Sequence, residues 1–387
     1  MRSIAIAGSM AQRPGRGGHT WVFLQYLLGF RKAGWEVMFL DRLDPEMCRD
    51  AAGHQVPIEH SWNLRYFGDV MDRFGFRDHA AVVFTSGTDT FGMSRREILE
   101  RVAASDALIN IMGFFNDAEI LAAAPLRIFL DIDPGFGQMW QASGLQDMFG
   151  GHDAHVTIAE NIGKPGCRVP TCGLEWITTR QPVVTDAWPQ INDAAAADRP
   201  ITTVGSWRGA YAPVEFQGTT YGLRAHEFRK FASLPCVTRD RFEVALDIHP
   251  GDAKDLDVLS RHGWKLIDPH TAAGDPWRYR DYICGSAAEL MIAKGMYVQT
   301  VSGWFSDRSI CYLASGRPVL AQDTGLTGVL PTGSGLLTFA TLDEAAETAR
   351  EIRRDYPRHA RAARAVAMEC FDSSVVLGSL VRKLALC

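Results

Sequence analysis

Residues Ser302–Gly328 read SGWFSDRSICYLASGRPVLAQDTGLTG, and the interpretation of the whole chain starts from this stretch. Ser306 or Asp307 can cap the start of a helix, because short polar side chains accept hydrogen bonds from free N–H groups there. Apolar residues then recur at helical spacing, and Gly316 fits the position just after the helix end. Pro318–Ala321 follows as a short apolar strand. The stretch therefore predicts a loop, a helix, a strand and a second loop.

This arrangement is typical of an anion site. In α/β proteins phosphate and sugar bind where a helix N-terminus lies beside the loop that ends a strand. Arg308 and Ser309, in the first helical turn, would add a cation and a hydroxyl to the helix dipole. An ordinary amphipathic helix between two strands explains the same pattern. The stretch alone leaves both interpretations open.

Length and charge narrow the class of protein. A chain of 387 residues is long enough for two or three domain units. The formal net charge is −5 and no basic stripe is visible, from which we expect no nucleic acid as the main partner. The chain opens on a strand without a signal peptide, and no apolar run reaches spanning length. We therefore expect a cytoplasmic protein with no membrane span.

The first 190 residues predict a doubly wound sheet. Strand Ile4–Ala7, the glycine-rich loop Gly8–Thr20, helix Trp21–Ala33 and strand Glu36–Asp41 form an opening β-loop-α-β unit. Further apolar runs with turn residues after them are typical of buried parallel strands. They are Ala81–Phe84, Ala107–Ile111, Arg127–Asp131, His155–Ile158 and Cys167–Pro170.

A second α/β unit follows a linker. Pro189–Pro200 is polar, alanine-rich and bounded by prolines, which favours a linker. Later strands are predicted at Ile201–Ser206, Arg241–Leu246, Trp264–Ile267, Ala288–Ala293, Pro318–Ala321 and Gly335–Phe339. We therefore expect an α/β fold with two Rossmann-like doubly wound domains, 1–190 and 191–370, facing each other across a cleft. A C-terminal helix within 371–387 could return to the first domain.

These features together resemble a GT-B glycosyltransferase. The resemblance rests on the two Rossmann-like halves, the glycine-rich first loop with His19, and a pattern of the form small-x-R-x-x-x-x-L-A-x-G-x-P-V-L. Ser306, Arg308, Leu313-Ala314 and Gly316–Leu320 carry that pattern here. The resemblance in architecture extends over the whole chain, but the residues that match the motif lie within 285–340.

The resemblance implies a nucleotide sugar held mainly by the second half and a small-molecule acceptor held mainly by the first. It implies no resident cofactor, because the nucleoside-diphosphate sugar is a co-substrate, and no bound metal, because a helix N-terminus and basic side chains balance the phosphate charge. By this resemblance the diphosphate contacts would be Ser306, Arg308 and Ser309. The sugar or ribose contacts would be Gln322, Asp323, Thr324 and Gly325. Gly205, Ser206 and Arg208 would add a phosphate or sugar contact, and Gly18 lies in a loop that could close over an anionic donor or be a mobile surface segment.

Two motifs of related enzymes are absent. The histidine-cysteine-glycine donor motif of the plant-type enzymes does not occur in the sequence. The pair of acidic residues spaced by seven, common in retaining enzymes of this fold, is also missing from the stretch. Inversion and retention of the anomeric configuration both stay open.

His19 is the candidate catalytic base. A neutral imidazole titrates near neutrality and can take a proton from an acceptor hydroxyl, and inverting enzymes of this fold often place a histidine in this loop. A base histidine usually has a carboxylate that orients it, and Asp133, ahead of Asp117 and Asp131, is the candidate. Helix capping by His19 and turn capping by the aspartates are the structural alternatives.

Other functions of the same fold remain alternatives. One is a sugar-nucleotide 2-epimerase and another a non-catalytic protein that binds sugar nucleotides; a homodimer is a further open expectation. Aromatic and methionine residues around 61–90 and 136–148 would suit a hydrophobic natural-product acceptor, but core packing explains them equally. They are Trp62, Tyr66, Phe67, Phe74, Phe76, Phe136, Met139, Trp140 and Met148.

Overall fold

The computed structural model describes residues 2–190 and 194–386, and in these ranges two α/β halves follow one another. The strands of the first half are β1 Ser3–Ala7, β2 Glu36–Leu43, β3 Ala80–Phe84, β4 Thr90–Gly92, β5 Ala107–Ile111, β6 Arg127–Asp131, β7 Ala154–Thr157 and β8 Trp176–Thr178. Its helices are α1 Gly17–Lys32, α2 Trp62–Arg73, α3 Arg95–Ala103, α4 Ala118–Ala123 and α5 Phe136–Ala142. Within residues 2–190 the strands form one sheet in the order β4-β3-β2-β1-β5-β6-β7-β8, which is parallel except for β4.

The second half repeats this plan. Its strands are β9 Ile201–Ser206, β10 Val214–Phe216, β11 Thr219–Tyr221, β12 Phe242–Asp247, β13 Lys265–Leu266, β14 Ala288–Met291, β15 Val319–Gln322 and β16 Leu336–Phe339. Its helices are α6 Arg224–Lys230, α7 Leu234–Thr238, α8 Ala253–Arg261, α9 Pro269–Ala273, α10 Pro276–Cys284, α11 Gly295–Thr300, α12 Asp307–Ala314, α13 Leu342–Arg354, α14 Tyr356–Val366 and α15 Ser373–Lys383. A parallel sheet has the order β13-β12-β9-β14-β15-β16, and β10 and β11 pair as a separate hairpin.

Apolar strands and helices form the core of each half. Strand β1 is apolar at every position from Ile4 to Ala7 and fully buried there, as expected for a parallel strand covered by helices on both faces. Helix α1 is apolar around most of its surface, so it lies between the first sheet and the second half. Its large buried side chains are Trp21, Phe23, Leu24, Tyr26, Leu27 and Phe30. In the described ranges no helix combines the length and apolar character needed to cross a bilayer.

The strand order reverses at one point in each sheet. In the first sheet β1 lies between β2 and β5, and in the second β9 lies between β12 and β14. At such a switch point the connections leave toward opposite faces of the sheet, which opens a crevice at the carboxyl ends of the strands. The loop after β1 and the loop after β9 therefore lie where ligands bind in folds of this class.

The last helix belongs spatially to the first half. Helix α15 packs on α1, where a Cβ added at Gly29 would lie 2.7 Å from a methyl group of Leu377. Val183 N–H donates to the carbonyl oxygen of Phe371, and Ser373 N–H donates back to Val183. The chain thus crosses between the halves a second time near residue 371. The predicted linker at 189–200 falls between β8 and β9, and its residues 191–193 lie outside the described ranges.

One predicted strand is wrong. Cys167–Pro170 forms a loop, and the strand that pairs with β7 is β8, Trp176–Thr178. The loop leaves the sheet because Arg168 N–H donates to the carbonyl oxygen of Thr300 in the second half, at 2.8 Å. Pro170 has no N–H to offer a sheet. The apolar pattern at Val169 comes instead from a small cluster with Ala159 and Ile162.

Candidate active site

A cavity of about 280 Å³ lies between the two halves at their switch points. We call it the inner cavity. The first half contributes the end of the first loop and the start of α1, and the second half contributes the end of β9 and the starts of α6, α9 and α12. It is lined by six basic residues: Arg13, Arg16, Arg208, Arg224, Lys294 and Arg308. The carboxylates in its lining are Asp133, Asp247 and Asp307.

Two of these cations meet at Gly205, at the end of β9. A Cβ added at Gly205 would lie 2.1 Å from Nη1 of Arg224 and 3.7 Å from Nη1 of Arg308. The missing side chain is what lets both guanidinium groups approach the same point of the cavity wall. The sequence indicated Gly205 and Arg308 as site residues, and the structure brings them together. It adds Arg224, which the sequence analysis missed.

Arg308 is a buried member of an ion pair. Its side chain is 8% exposed, and its Nε donates to Glu289, whose side chain is fully buried in β14. Its Nη1 donates to the carbonyl oxygen of Val204 at 2.9 Å. The carboxylate of Glu289 raises the pKa of Arg308 despite the burial of the guanidinium group. Arg308 thus presents a fixed positive charge at the cavity wall, but its hydrogen bonds are largely used within the protein.

Arg224 forms no ion pair with a carboxylate among the described residues, and neither does Arg13. Its Nη1 donates to the carbonyl oxygen of Ser206 at 3.2 Å. Its Nε is buried and has no hydrogen-bond partner among the described residues. Burial and the neighbouring charge of Arg308 lower the pKa of Arg224 to about 10. A bound anion would satisfy both the free N–H and the unbalanced charge.

Lys294 forms an ion pair across the cleft. Its Nζ lies 2.7 and 2.9 Å from the two carboxylate oxygens of Asp133, which comes from the first half, and Tyr297 also donates to that carboxylate. The ammonium group lies 4.9 Å from the ring centroid of Phe136 and 5.8 Å from that of Tyr211. Burial lowers the pKa of Lys294. The pair holds the loop after β6 against the second half.

Asp133 therefore does not orient His19 in this structure. Its carboxylate is occupied by Lys294 and Tyr297, and among the described residues no hydrogen bond joins it to the histidine. Asp131 is buried and accepts hydrogen bonds from Thr157 and Gln138, whereas Asp117 caps α4. The prediction that one of these carboxylates orients His19 does not hold in this structure, although Asp133 does line the inner cavity.

His19 is oriented by the backbone. It lies in the first turn of α1 and lines the inner cavity. Its Nε2 lies 3.0 Å from the carbonyl oxygen of Ser9 and 3.1 Å from the Ser9 hydroxyl. Because a carbonyl oxygen only accepts, Nε2 carries the proton and Nδ1 is the basic nitrogen of the neutral ring. Burial, together with the positive charges of Arg13 and Arg16, lowers the pKa of His19 to about 4.

The loop that carries Ser9 is anchored by a buried carboxylate. Asp41, within the second half of β2, accepts hydrogen bonds from the backbone N–H of Ala11 at 2.6 Å and from Gln12 Nε2 at 3.1 Å. Burial raises the pKa of Asp41 to about 7, even though these hydrogen bonds lower it. The fixed loop conformation determines where the Ser9 carbonyl oxygen stands, and therefore the orientation of the His19 ring.

The start of α1 is pressed against the second half. A Cβ added at Gly17 would lie 2.2 Å from the carbonyl oxygen of Asp275, so only glycine fits there. Gly18 lines the inner cavity and packs on the ring of Tyr279. Arg16 also reaches across the cleft, 3.1 Å from the carboxylate of Asp247. The close approach of these backbones keeps His19 beside the cations of the second half.

Helix α12 begins at the inner cavity, but its two predicted serines do not line it. The Ser306 hydroxyl caps the helix by accepting from Arg308 N–H at 3.2 Å. Ser309 is fully buried, and its hydroxyl has no hydrogen-bond partner among the described residues. Asp307 and Arg308 are the side chains of this turn that line the cavity. Burial raises the pKa of Asp307.

The loop after β15 is structural in this arrangement. Gln322 is buried, accepts from Ala293 N–H and donates to Glu227. The carboxylate of Asp323 accepts from the two N–H groups that follow in its own turn, and Thr324 donates to the carbonyl oxygen of Trp304. Gly325 contacts the first half through Asn161. These four residues, predicted as sugar or ribose contacts, do not line the inner cavity.

A second, larger cavity adjoins the first. This outer cavity measures about 760 Å³ and shares Arg13, Arg16 and Arg208 with the inner one. Its walls are the segments 47–53 and 62–63 of the first half and 206–210 and 247–252 of the second. Ser206 lines both cavities, and Arg208 pairs with Asp252. Of the aromatic and methionine residues considered for a hydrophobic acceptor, Trp62 lines this cavity, whereas Tyr66, Phe67, Phe76, Phe136 and Met139 are buried core.

Comparison with known proteins identifies the fold. No family model and no curated protein matches the sequence. Among solved structures, the chain is similar to an alpha-glucosyltransferase in complex with UDP, with a TM-score of 0.62 and 12% identity over 100% of both chains. It is similar to HepE from Anabaena in complex with UDP and glucose, with a TM-score of 0.58 and 9% identity over 100% of both chains. AviGT4, a glycosyltransferase involved in avilamycin A biosynthesis, matches with a TM-score of 0.58 and 13% identity over 99% of this chain and 96% of that chain. The predicted GT-B fold is confirmed.

The expectation that nucleic acid is excluded as a partner is wrong. Alpha-glucosyltransferases that share this fold are seen in complex with DNA, one of them containing an abasic site and another a central A:G mismatch. Their TM-scores to this chain are 0.61 and 0.58. The expectation failed because a net charge of −5 is an average over the whole chain. It does not describe a cleft whose wall carries six basic side chains.

Proposed function

We propose that this protein is a glycosyltransferase that moves a sugar from a nucleoside-diphosphate donor to an acceptor hydroxyl. The observation that carries the proposal is Arg224, which lies beside Arg308 at the switch point of the second half. Among the described residues its Nε–H has no hydrogen-bond partner and its guanidinium group forms no ion pair. Solved structures of the same fold contain UDP, or UDP and glucose. A diphosphate is the anion that fits a cavity flanked by two guanidinium groups and a helix start.

The donor would bind with its diphosphate between Arg224 and Arg308. Arg224 supplies the free hydrogen-bond donors, and the buried Arg308 supplies a charge that does not move. When the bond between the anomeric carbon and the diphosphate oxygen breaks, negative charge grows on that oxygen. Preorganised cations in a partly closed site stabilise this charge more than water does. Lys294 can join them if donor binding draws it from Asp133.

His19 would act as the base. The acceptor hydroxyl gives its proton to Nδ1 as its oxygen bonds to the anomeric carbon, and the nucleoside diphosphate leaves with the electrons of the broken bond. The hydrogen bond from Nε2 to the Ser9 carbonyl oxygen fixes the tautomer needed for this step. It also stabilises the imidazolium that results. The Ser9 carbonyl oxygen thus takes the role that a carboxylate has beside other histidine bases.

A direct test uses nucleoside-diphosphate sugars with and without pooled acceptors. We expect nucleoside diphosphate to be released faster when an acceptor is present, with the sugar recovered on the acceptor. An isomeric sugar nucleotide formed without acceptor would identify an epimerase instead. Binding with no turnover across the whole panel would identify a binding protein. Either of these two results would overturn the proposal.

Replacing the base should remove turnover. For His19→Ala we expect kcat for transfer to fall about 10²- to 10⁴-fold, the usual contribution of a general base. The measurement is the initial rate of sugar transfer at saturating donor and acceptor, with UDP binding followed by calorimetry as a check that the cleft is intact. A variant that transfers sugar at the rate of the natural protein would show that His19 is only part of the helix start.

The pH dependence of transfer should be displaced to low pH. The base works when neutral, so activity is lost as pH falls through its pKa, which lies near 4. We therefore expect kcat/KM to stay level from pH 8 to about 5, whereas an ordinary histidine would lose half its activity near 6.5. Arg13→Gln removes a nearby positive charge and should move the midpoint upward. If kcat/KM of the natural protein fell to half its maximum near pH 6.5, the base would not be a histidine with the lowered pKa of His19.

A further inference from the structure

The outer cavity has the composition of a site for a neutral, hydroxyl-rich molecule. Eleven of its twenty lining residues are polar or charged, so hydrogen-bonding side chains form more than half of the lining. Its polar residues come from both halves: Gln12, Arg13, Arg16, Arg49, Asp50 and Asn63 from the first, and Ser206, Arg208, Asp247, His249 and Asp252 from the second.

Four of the charged side chains in this cavity form two ion pairs, whereas Arg13 and Arg49 form none among the described residues. Arg16 lies 3.1 Å from Asp247, and Arg208 is bidentate on Asp252, with Nε at 3.0 Å. Each of these partly exposed pairs places hydrogen-bond donors and acceptors side by side. A sugar hydroxyl both donates and accepts, so it can bridge such a pair, whereas an ionised group meets attraction and repulsion together.

Free hydrogen-bonding atoms complete the lining. The Nδ1 of His249 accepts from Gly251 N–H, and Nε2 of this exposed ring has no hydrogen-bond partner within residues 2–190 and 194–386. Gln12 donates to Asp41 through its amide nitrogen, and its amide oxygen has no partner among the described residues. The partly exposed indole of Trp62 adds aromatic surface to the same wall.

We propose that the outer cavity binds the acceptor and that the acceptor is a neutral saccharide, either free or as the end of a glycan. The inference rests on the proposed function, because it places the reacting hydroxyl next to the inner cavity. The shared wall at Arg13, Arg16 and Arg208 puts that hydroxyl beside the donor sugar. A new glycosidic bond forms to the saccharide oxygen, whose proton goes to His19, and the nucleoside diphosphate leaves.

The acceptor class is tested by competition among four panels with one accepted donor: neutral mono- and disaccharides, sugar phosphates, phenolic aglycones and a DNA duplex. We expect neutral saccharides to give the largest acceleration of nucleoside-diphosphate release, with a di- or trisaccharide as product. Transfer only to phenols, to sugar phosphates or to DNA, or acceleration by no saccharide, overturns the inference and leaves the donor site standing. A protein that neither binds nor cleaves any donor removes the proposed function and this inference together.

Asp252→Asn tests the site itself. The substitution keeps the size of the side chain but leaves Arg208 without a carboxylate, so the saccharide loses one acceptor atom. We expect the acceptor KM to rise about tenfold with a smaller change in kcat. Asp257→Asn is the matched control, because Asp257 lies on α8, which begins directly after Asp252 in the chain, and pairs with Arg261 in solvent; its kinetics should equal those of the natural protein. An unchanged acceptor KM in Asp252→Asn would overturn the assignment.

Discussion

Arg308→Ala should destabilise the protein by about 3–5 kcal/mol, the usual cost of leaving one member of a buried ion pair alone. The carboxylate of Glu289 is fully buried in β14, and one of its oxygens already lacks a hydrogen-bond partner among the described residues. Without Arg308 the whole charge would be uncompensated inside the second half. Denaturant unfolding followed by circular dichroism measures the change.

Two controls separate this effect from the loss of a surface charge. Arg261→Ala breaks an exposed pair with Asp257 and should cost less than about 1 kcal/mol. The double change Arg308→Met with Glu289→Leu removes both charges and keeps apolar volume, so most of the lost stability should return. If the single and double variants were equally unstable, the buried pair would not be the cause. Because Arg308 also stabilises the fold, it is a poor probe of donor binding.

Arg224→Ala should raise the donor KM about 100-fold and leave the free energy of unfolding within about 1 kcal/mol of the natural value. The expected loss in binding is that of charge-assisted hydrogen bonds to a phosphate, about 2.7 kcal/mol. The fold should lose little, because Arg224 forms no ion pair in the described part of the chain and its removal relieves repulsion from Arg308. Steady-state kinetics with the donor varied at saturating acceptor provide the measurement.

The same helix supplies the control for this variant. Arg229 lies on α6 with Arg224, but it points to solvent and pairs with Asp255. Arg229→Ala should keep the donor KM of the natural protein. Arg224→Lys should be intermediate, because it retains the charge and loses the second hydrogen bond. A donor KM for Arg224→Ala equal to that of Arg229→Ala would rule out Arg224 as a phosphate contact.

The fold could be predicted from sequence because its signals are local. Runs of buried apolar residues such as Ile4–Ala7 and Ala107–Ile111 are short, and turn residues follow them. The strands and their parallel pairing could therefore be predicted. Cys167–Pro170 has the same appearance, but a hydrogen bond to Thr300 draws it out of the sheet. A contact between residues so far apart in the chain cannot be predicted from the residues that surround either of them in a single sequence.

The candidate site was predicted only in part. Gly205 and Arg308 lie where the sequence placed them, since each is adjacent to a strand end or a helix start. Arg224 was not predicted as a site residue, because the hairpin β10–β11 lies between it and the end of β9. No sequence motif therefore links Arg224 to the switch point. Gln322 looked like a ligand contact because it ends a strand. Its hydrogen bonds to Ala293 and Glu227 show that it connects elements inside the second half, which only the structure reveals.

Binding of a nucleotide-sugar diphosphate in the inner cavity can be measured without knowing the acceptor. The experiment is calorimetric titration of the full chain with UDP, and in parallel with the diphosphates of guanosine, adenosine and thymidine. We expect saturable binding of at least one of them with a 1:1 stoichiometry, and at least tenfold weaker binding of the matching monophosphate, which lacks the phosphate nearest the sugar. The absence of binding heat with all four diphosphates, or equal affinity for mono- and diphosphate, would contradict this expectation.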